Sequence, residues 1–135
     1  MSDENKLVID LVSPEKQVFS KSADMVIVSG TEGDFGVLPG HAPIISSIRP
    51  GVMEIQESNE VEQMFISGGI VEVLSDKVSV LATEVFSKDD IKVEECEQRI
   101  SKYNSEMQSM SNAEDKEKNQ DLIDKYQLMI EFKNS

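Results

Sequence analysis

The distribution of glycine and proline is the feature that most constrains this chain. All seven glycines lie between Gly30 and Gly69, and all four prolines precede residue 51. Residues 88–135 contain neither residue type. Glycine and proline mark turns, and their absence permits long helices. The sequence therefore predicts a turn-rich domain over residues 1–86, followed by a helical domain over residues 87–135.

The turn-rich part has the pattern of short β-strands. Apolar side chains alternate in residues 6–13, which places Leu7, Ile9 and Leu11 on one face. Because no helical pattern separates the strands, the expected architecture is an antiparallel β-sandwich or barrel. The other predicted strands cover residues 25–28, 51–57, 61–67, 70–75 and 77–83.

The last part has the pattern of two amphipathic helices. Apolar residues between Val93 and Met110 recur every three or four positions, which makes one stripe along a helix. Ser87 and Ser111 each stand three residues before an acidic residue, a spacing typical of helix N-termini. The connection is short, so an antiparallel hairpin is expected. The stripe of the second helix comprises Leu122, Tyr126 and Met129, with Ile123 and Ile130 beside it.

The charge of the chain excludes several classes of protein. It carries 13 basic and 26 acidic side chains, a net charge of −13, which repels nucleic-acid phosphates and anionic lipid headgroups. No apolar run reaches the roughly 18 residues that a transmembrane helix needs. The first five residues are acidic and polar, so neither a secretory signal nor a transit peptide is expected. Nucleic-acid binding and direct membrane insertion are therefore predicted to be absent.

Few residues could support catalysis. His41 is the only histidine, and it is interpreted as a polar loop or interface residue. The alternative is a small enzyme that uses His41 with Asp34 or Glu32 as a general base. Cys96, the only cysteine, lies on the apolar stripe and is predicted to be a core residue, so no metal site is expected. Residues 33–40 lack the spacing of a nucleotide-binding loop and are interpreted as a rigid, glycine-shaped loop.

Three segments resemble those of one known family. Residues 30–51, GTEGDFGVLPGHAPIISSIRPG, resemble the signature segment of the epsilon subunit of the bacterial rotary proton-translocating ATP synthase. Residues 65–73, FISGGIVEV, and residues 78–82, VSVLA, resemble two later segments of the same family. The resemblance implies an N-terminal antiparallel β-sandwich of about ten strands and a C-terminal antiparallel two-helix hairpin. It also implies a non-catalytic subunit of the central stalk that couples the c-ring to gamma and the catalytic head during ATP synthesis.

The resemblance implies partners and contact residues as well. The expected partners are the gamma subunit, the polar loops of the c-ring and the alpha/beta catalytic head, at the cytoplasmic face of the bacterial inner membrane. The polar loops of the c-ring commonly carry an arginine. The resemblance therefore assigns Glu32 and Asp34, in the acidic turn that matches the family, to c-ring contact, with Phe35 beside them. His41 and Pro43 are assigned to the gamma interface. The alternative is a stand-alone acidic β-sandwich binding module of another complex.

The sequence departs from the family in the hairpin. Some members bind ATP there through a motif of the type Ile/Leu-Asp-x-x-Arg-Ala, whose Asp, Arg and Ala positions are Lys92, Glu95 and Cys96 here. A carboxylate at the Arg position would repel a triphosphate, so ATP binding is predicted to be absent and no cofactor is expected. Residues 88–135 carry 8 basic and 12 acidic side chains, a net charge of −4. The resemblance implies that basic hairpin residues, facing acidic loops of the catalytic subunits, help to inhibit ATP hydrolysis. With this net negative charge, inhibition is predicted to be weak or absent.

Overall fold

The computed structural model describes residues 6–14 and 16–135, with the backbone alone for residues 16–18. The chain divides into two compact units, of which the first ends at Val85 and the second begins at Phe86. This boundary lies one residue before the one predicted from the sequence. The acidic first five residues, where no targeting peptide is expected, lie outside the described residues.

The first unit is a β-sandwich made from one ten-stranded sheet. The ten strands and the hairpin that follows them confirm the predicted fold class. The strands are β1 (Leu7–Ser13), β2 (Lys16–Ala23), β3 (Met25–Gly30), β4 (Gly33–Val37), β5 (Ile44–Ile48), β6 (Gly51–Glu57), β7 (Glu60–Ile66), β8 (Gly69–Val73), β9 (Lys77–Ala82) and β10 (Val85–Phe86).

The order of the strands explains how one sheet makes two layers. The order is β10-β7-β6-β3-β5-β8-β9-β1-β2, and β4 pairs with β3 beside this path. Strands β3 and β5 share one residue pair, Gly30 with Ile48. Strands β1 and β9 run parallel, so the sandwich is mostly antiparallel with this one parallel pair among the described registers. The two ends of the chain segment 7–82 thus lie side by side in one layer.

Alternation of side chains builds the core of the sandwich. Leu7, Ile9 and Leu11 are completely buried, which confirms their predicted common face. The same period of two buries one side of most other strands and leaves polar residues such as Glu72 on the other side. The core also includes Val26, Val28, Met53, Ile55, Val71, Val73, Val78 and Val80.

Strands β2, β4, β5 and β10 were not predicted, and the sequences of β4 and β5 show why. In β4, predicted as a glycine-shaped loop, two of the five positions are glycine and offer no side chain to alternate. In β5, Ile44 and Ile45 are adjacent, so the apolar residues do not keep a period of two. Both strands exist because β3 and β8 supply hydrogen-bonding partners along their length. Pairing overrode local sequence preference here.

The second unit is an antiparallel helical hairpin, α1 (Val93–Gln108) and α2 (Ala113–Asn134). Helix α2 begins after Asn112, as predicted, but the capping residues of both helices differ from the prediction. Ser87 caps a separate 3₁₀ turn at Lys88–Asp90 rather than α1, which begins without a side-chain cap. Asn112, not Ser111, caps α2, and its Oδ1 accepts hydrogen bonds from the backbone N–H groups of the next turn.

The buried face of the hairpin includes one polar residue that the apolar pattern did not predict. Asn119 is buried, and its side-chain amide donates a hydrogen bond to the backbone carbonyl of Tyr103 across the two helices at 3.1 Å. The rings of Tyr103 and Tyr126 stack nearby, with centroids 6.2 Å apart. Cys96 is buried, as its place on the stripe predicted, whereas Leu122 is only half-buried. The other buried hairpin side chains are Ile91, Ile123, Met129 and Phe132.

Candidate functional site

The turn between β3 and β4 carries the two acidic residues that the sequence singled out. Thr31 and Glu32 form a two-residue turn, and Gly33 follows with φ of 130°, a conformation that favours glycine. Residues 31–34 are called the acidic tip below. Glu32 is exposed, and no cation of the described residues lies within ion-pair distance of its carboxylate. Glu32 is therefore available to a partner.

Asp34 has a partner within the chain that sequence reasoning missed. The guanidinium of Arg49, in the connection between β5 and β6, donates from Nη2 to Oδ1 of Asp34. The Asp34 side chain is still 62% exposed, so the ion pair leaves part of the carboxylate open. Spacing in the sequence could not reveal this pair, because fifteen positions separate the two residues.

Phe35 follows Asp34 in β4, but its side chain points to the opposite face of the strand. Neighbouring residues of a strand point to opposite faces, and Phe35 shares the inner face of β4 with the buried Val37. Its half-buried ring packs against the core, over Gly30, where a Cβ would lie 2.9 Å from the ring. Phe35 therefore packs between the core and Gly30, the residue directly before the acidic tip.

The loop between β4 and β5 carries His41 and Pro43. The Gly40 N–H donates to the carbonyl of Ser75 at 2.6 Å, which holds this loop against the turn between β8 and β9. His41 is half-buried, and its Nδ1 donates to the carbonyl of Ala42 at 2.6 Å. Pro43 is exposed. The imidazole thus belongs to a loop hydrogen-bond network.

The predicted contact residues fall at two separate places. The acidic tip precedes β4 and the His41 loop follows it, and a strand of five residues spans about 17 Å. A small enzyme that used His41 with Asp34 or Glu32 would need these groups together. Residues 35–40 lie between Asp34 and His41, and Asp34 pairs with Arg49 instead.

An apolar patch on the outer face of the sandwich was missed by the sequence analysis. Ile70 of β8 and Leu81 of β9 are direct partners in the sheet, and Ile45 of β5 lies diagonally across from Ile70. These three residues, called the apolar patch below, are 71% (Ile45), 50% (Ile70) and 57% (Leu81) exposed. Adjacent exposed apolar side chains mark interaction surfaces more often than single ones do. Alternation in β8 and β9 gave a signal for Ile70 and Leu81, but the strand that carries Ile45 has no such pattern and was not predicted.

An ion pair lies on the same outer face. Asp10 of β1 accepts hydrogen bonds from Ser20 and Lys77, and these hold the pKa of Asp10 below its usual value. The Lys77 Nζ lies 3.2 Å from the Asp10 carboxylate. Charged groups around an apolar centre are the usual arrangement of a protein interface.

The positions of the altered ATP motif lie at the start of α1. Lys92 and Glu95 are exposed, whereas Cys96 is buried. Burial raises the pKa of the Cys96 thiol, which makes it a poor nucleophile. Within residues 6–14 and 16–135, no group of His, Cys, Asp and Glu could hold a metal ion.

Neither helix of the described chain is long and apolar enough to cross a membrane.

Comparison with known families gives a specific match. The model of the ATP synthase Delta/Epsilon chain beta-sandwich domain matches residues 6–88. The ATP synthase epsilon chain of Maricaulis maris is 38% identical over 125 residues, which cover 93% of this chain and 94% of that relative. The epsilon chain of Myxococcus xanthus is 42% identical over 107 residues, 79% of each chain.

Two solved structures share the fold. A chain in the mitochondrial ATP synthase of Euglena gracilis, an assembly of OSCP, F1 and c-ring, superposes with a TM-score of 0.83 at 18% identity. The match covers 94% of this chain and 81% of that chain. A chain of the Tetrahymena thermophila central stalk and c-ring has a TM-score of 0.76 at 14% identity, with coverage of 95% and 96%.

Proposed function

The chain belongs to the epsilon-chain family of ATP synthase, a family of non-catalytic stalk subunits, and on this premise we propose that it is the rotor subunit that couples the c-ring to gamma. The observation that carries the proposal is the match to the Maricaulis maris epsilon chain over 94% of that relative. The family resemblance also supports a peripheral position at the cytoplasmic face of the inner membrane, near the alpha/beta catalytic head.

The apolar patch is proposed to bind gamma. A rotor subunit must stay attached while torque passes through it, and buried apolar contacts at the centre of an interface supply most of the affinity. The loop with His41 and Pro43 ends at the first residue of β5, the strand that carries Ile45. We therefore propose that His41 and Pro43 lie at the margin of the same gamma interface.

The acidic tip is proposed to contact the polar loops of the c-ring. Glu32 has no cationic partner among the described residues, and Asp34 keeps an exposed carboxylate oxygen beside Arg49. Phe35 supports the tip from the core. Charges at the rim of an interface set the association rate and the register more than the affinity. Separate surfaces for gamma and for the ring suit a subunit that bridges the two.

A pull-down with the tagged full-length chain tests this function. Membranes are solubilised in mild detergent, and gamma, the c subunits and the catalytic subunits are expected to co-purify in fixed proportion. The alternative, a stand-alone acidic binding module, predicts a different set of proteins and none of these subunits. A tagged chain with the apolar patch and the tip both altered is the matched negative control.

Calorimetric titration of the full-length chain with ATP is expected to show no saturable binding. The exposed Glu95 carboxylate would face the triphosphate at the position where binding members of the family have arginine. The double substitution Lys92→Asp with Glu95→Arg restores the two charges of the family motif and serves as the comparison. Saturable binding by the unaltered chain at millimolar ATP or below would contradict the prediction.

Deletion of residues 88–135 is expected to leave ATP hydrolysis by the assembled complex within about twofold of the full-length rate. The hairpin carries a net charge of −4, which opposes contact with acidic loops of the catalytic subunits. The measurement is steady-state ATP hydrolysis by complexes that contain equal amounts of either chain. A several-fold increase after the deletion would show that the hairpin inhibits strongly.

A further inference from the structure

Arg49, in the connection between β5 and β6, uses three of its groups to bind strand β3 and the acidic tip. Its backbone N–H donates to the carbonyl of Ser29 at 2.9 Å, and its carbonyl accepts from the Ser29 hydroxyl at 2.8 Å. Its guanidinium pairs with Asp34. Thr31 adds a fourth link, because its N–H donates to the Ser47 carbonyl at 3.2 Å.

The backbone contacts of Arg49 and its side-chain ion pair differ in burial and therefore in their effect. The backbone contacts involve Ser29, which is buried, and they fix the position of the strand connection itself. The contact between Arg49 and Asp34 is exposed, with 41% and 62% of the two side chains accessible. An ion pair this exposed contributes little to the stability of the fold. Its consequence is instead to restrict the Asp34 carboxylate to one direction.

We propose that Arg49 is a positioning residue for the c-ring contact: it holds one oxygen of Asp34, so that the carboxylate is presented in a fixed orientation beside Glu32. This inference rests on the proposed function of the acidic tip. A carboxylate that is already oriented loses less side-chain entropy when a cationic partner binds. The guanidinium suits this role because its planar array of donors fixes the geometry of a carboxylate better than an ammonium does.

A positioning role for Arg49 and Coulomb attraction alone predict opposite changes in binding strength for one substitution. Arg49→Met keeps an unbranched side chain and the backbone hydrogen bonds, and it removes the guanidinium with its positive charge and its hydrogen-bond donors. By Coulomb attraction alone, a tip that is more negative should bind a cationic loop more tightly. If Arg49 positions Asp34, the same substitution weakens binding. The direction of the change therefore separates the two explanations.

The test is a double-mutant cycle on Arg49 and Asp34. The full-length chain and its variants are titrated onto detergent-solubilised ATP synthase assembled without this chain, at low and at high salt. At low salt, Arg49→Met is expected to speed dissociation by about two- to fivefold, and Arg49→Lys by less. In the Asp34→Asn background, Arg49→Met is expected to have no effect or to bind slightly better. The midpoints of thermal unfolding should agree among all variants.

Two outcomes separate this inference from the function on which it rests. Unchanged or tighter binding of Arg49→Met, or an equal effect in the Asp34→Asn background, overturns the positioning role only. The double substitution Glu32→Gln with Asp34→Asn tests the contact itself, and it is expected to slow association at low salt but not at high salt. If that variant associates like the unaltered chain at every salt concentration, both the tip contact and the role of Arg49 are wrong.

Discussion

Gly69→Ala is expected to lower the free energy of unfolding of the sandwich by about 4 kcal/mol. Gly69 has φ of 145°, and a Cβ there would lie 2.1 Å from the carbonyl oxygen of Leu81. Because that oxygen belongs to the backbone of the paired strand β9, no side-chain rotation can relieve the overlap. The loss would be a large part of the stability of a typical domain, which is about 5–15 kcal/mol.

Gly33→Ala is the matched control for this prediction. Gly33 has φ of 130°, yet nothing lies within 4 Å of a Cβ built there, so only the backbone strain of about 1–2 kcal/mol should appear. Urea unfolding followed by far-ultraviolet circular dichroism measures both variants. Tyrosine fluorescence monitors the hairpin separately, because both tyrosines, Tyr103 and Tyr126, lie there. Similar losses for the two variants would contradict the steric explanation.

Leu81→Asp is expected to weaken binding to gamma by about 30-fold or more, while the chain remains folded. Leu81 lies in the apolar patch, where it pairs with Ile70, and a carboxylate there would be buried without a partner on binding. The substitution should not unfold the free chain, because the side chain is 57% exposed before binding. The dissociation constant for purified gamma, measured with the full-length chain, tests the prediction.

Val61→Asp provides a control of equal exposure. Val61 lies on β7, away from the apolar patch, and is 58% exposed. Both substitutions put a carboxylate at a strand position of similar exposure, so they should cost similar stability. Val61→Asp is expected to change the affinity for gamma by less than twofold. Equal effects of the two variants, or full affinity of Leu81→Asp, would remove the apolar patch from the gamma interface.

The sequence was most informative where one periodic pattern covers a whole element. The alternation in β1 predicted that Leu7, Ile9 and Leu11 are buried, and the helical stripe predicted that Cys96 is buried. It was least informative where an element depends on its neighbours. Strand β4 has glycine at two of five positions and forms because β3 pairs with it, and that partner lies outside any local pattern.

In the candidate site, too, local features could be predicted from the sequence and contacts between strands could not. The glycines around the acidic tip and the charge of Glu32 are local properties, and a resemblance based on consecutive residues could locate them. The ion pair between Asp34 and Arg49, and the patch formed by Ile45, Ile70 and Leu81, join residues from different strands. Such contacts depend on strand order and register, which no short segment of sequence contains.

The sequence by itself determined the two-part organisation, since the last glycine is Gly69 and residues 88–135 are free to form helices. It also determined the family, through consecutive residues between 30 and 82. Only the tertiary structure decided which charges remain available and which apolar residues meet on one surface. The physical reason is that burial and pairing join residues that are distant in the sequence, as Gly30 pairs with Ile48 and Asp34 with Arg49.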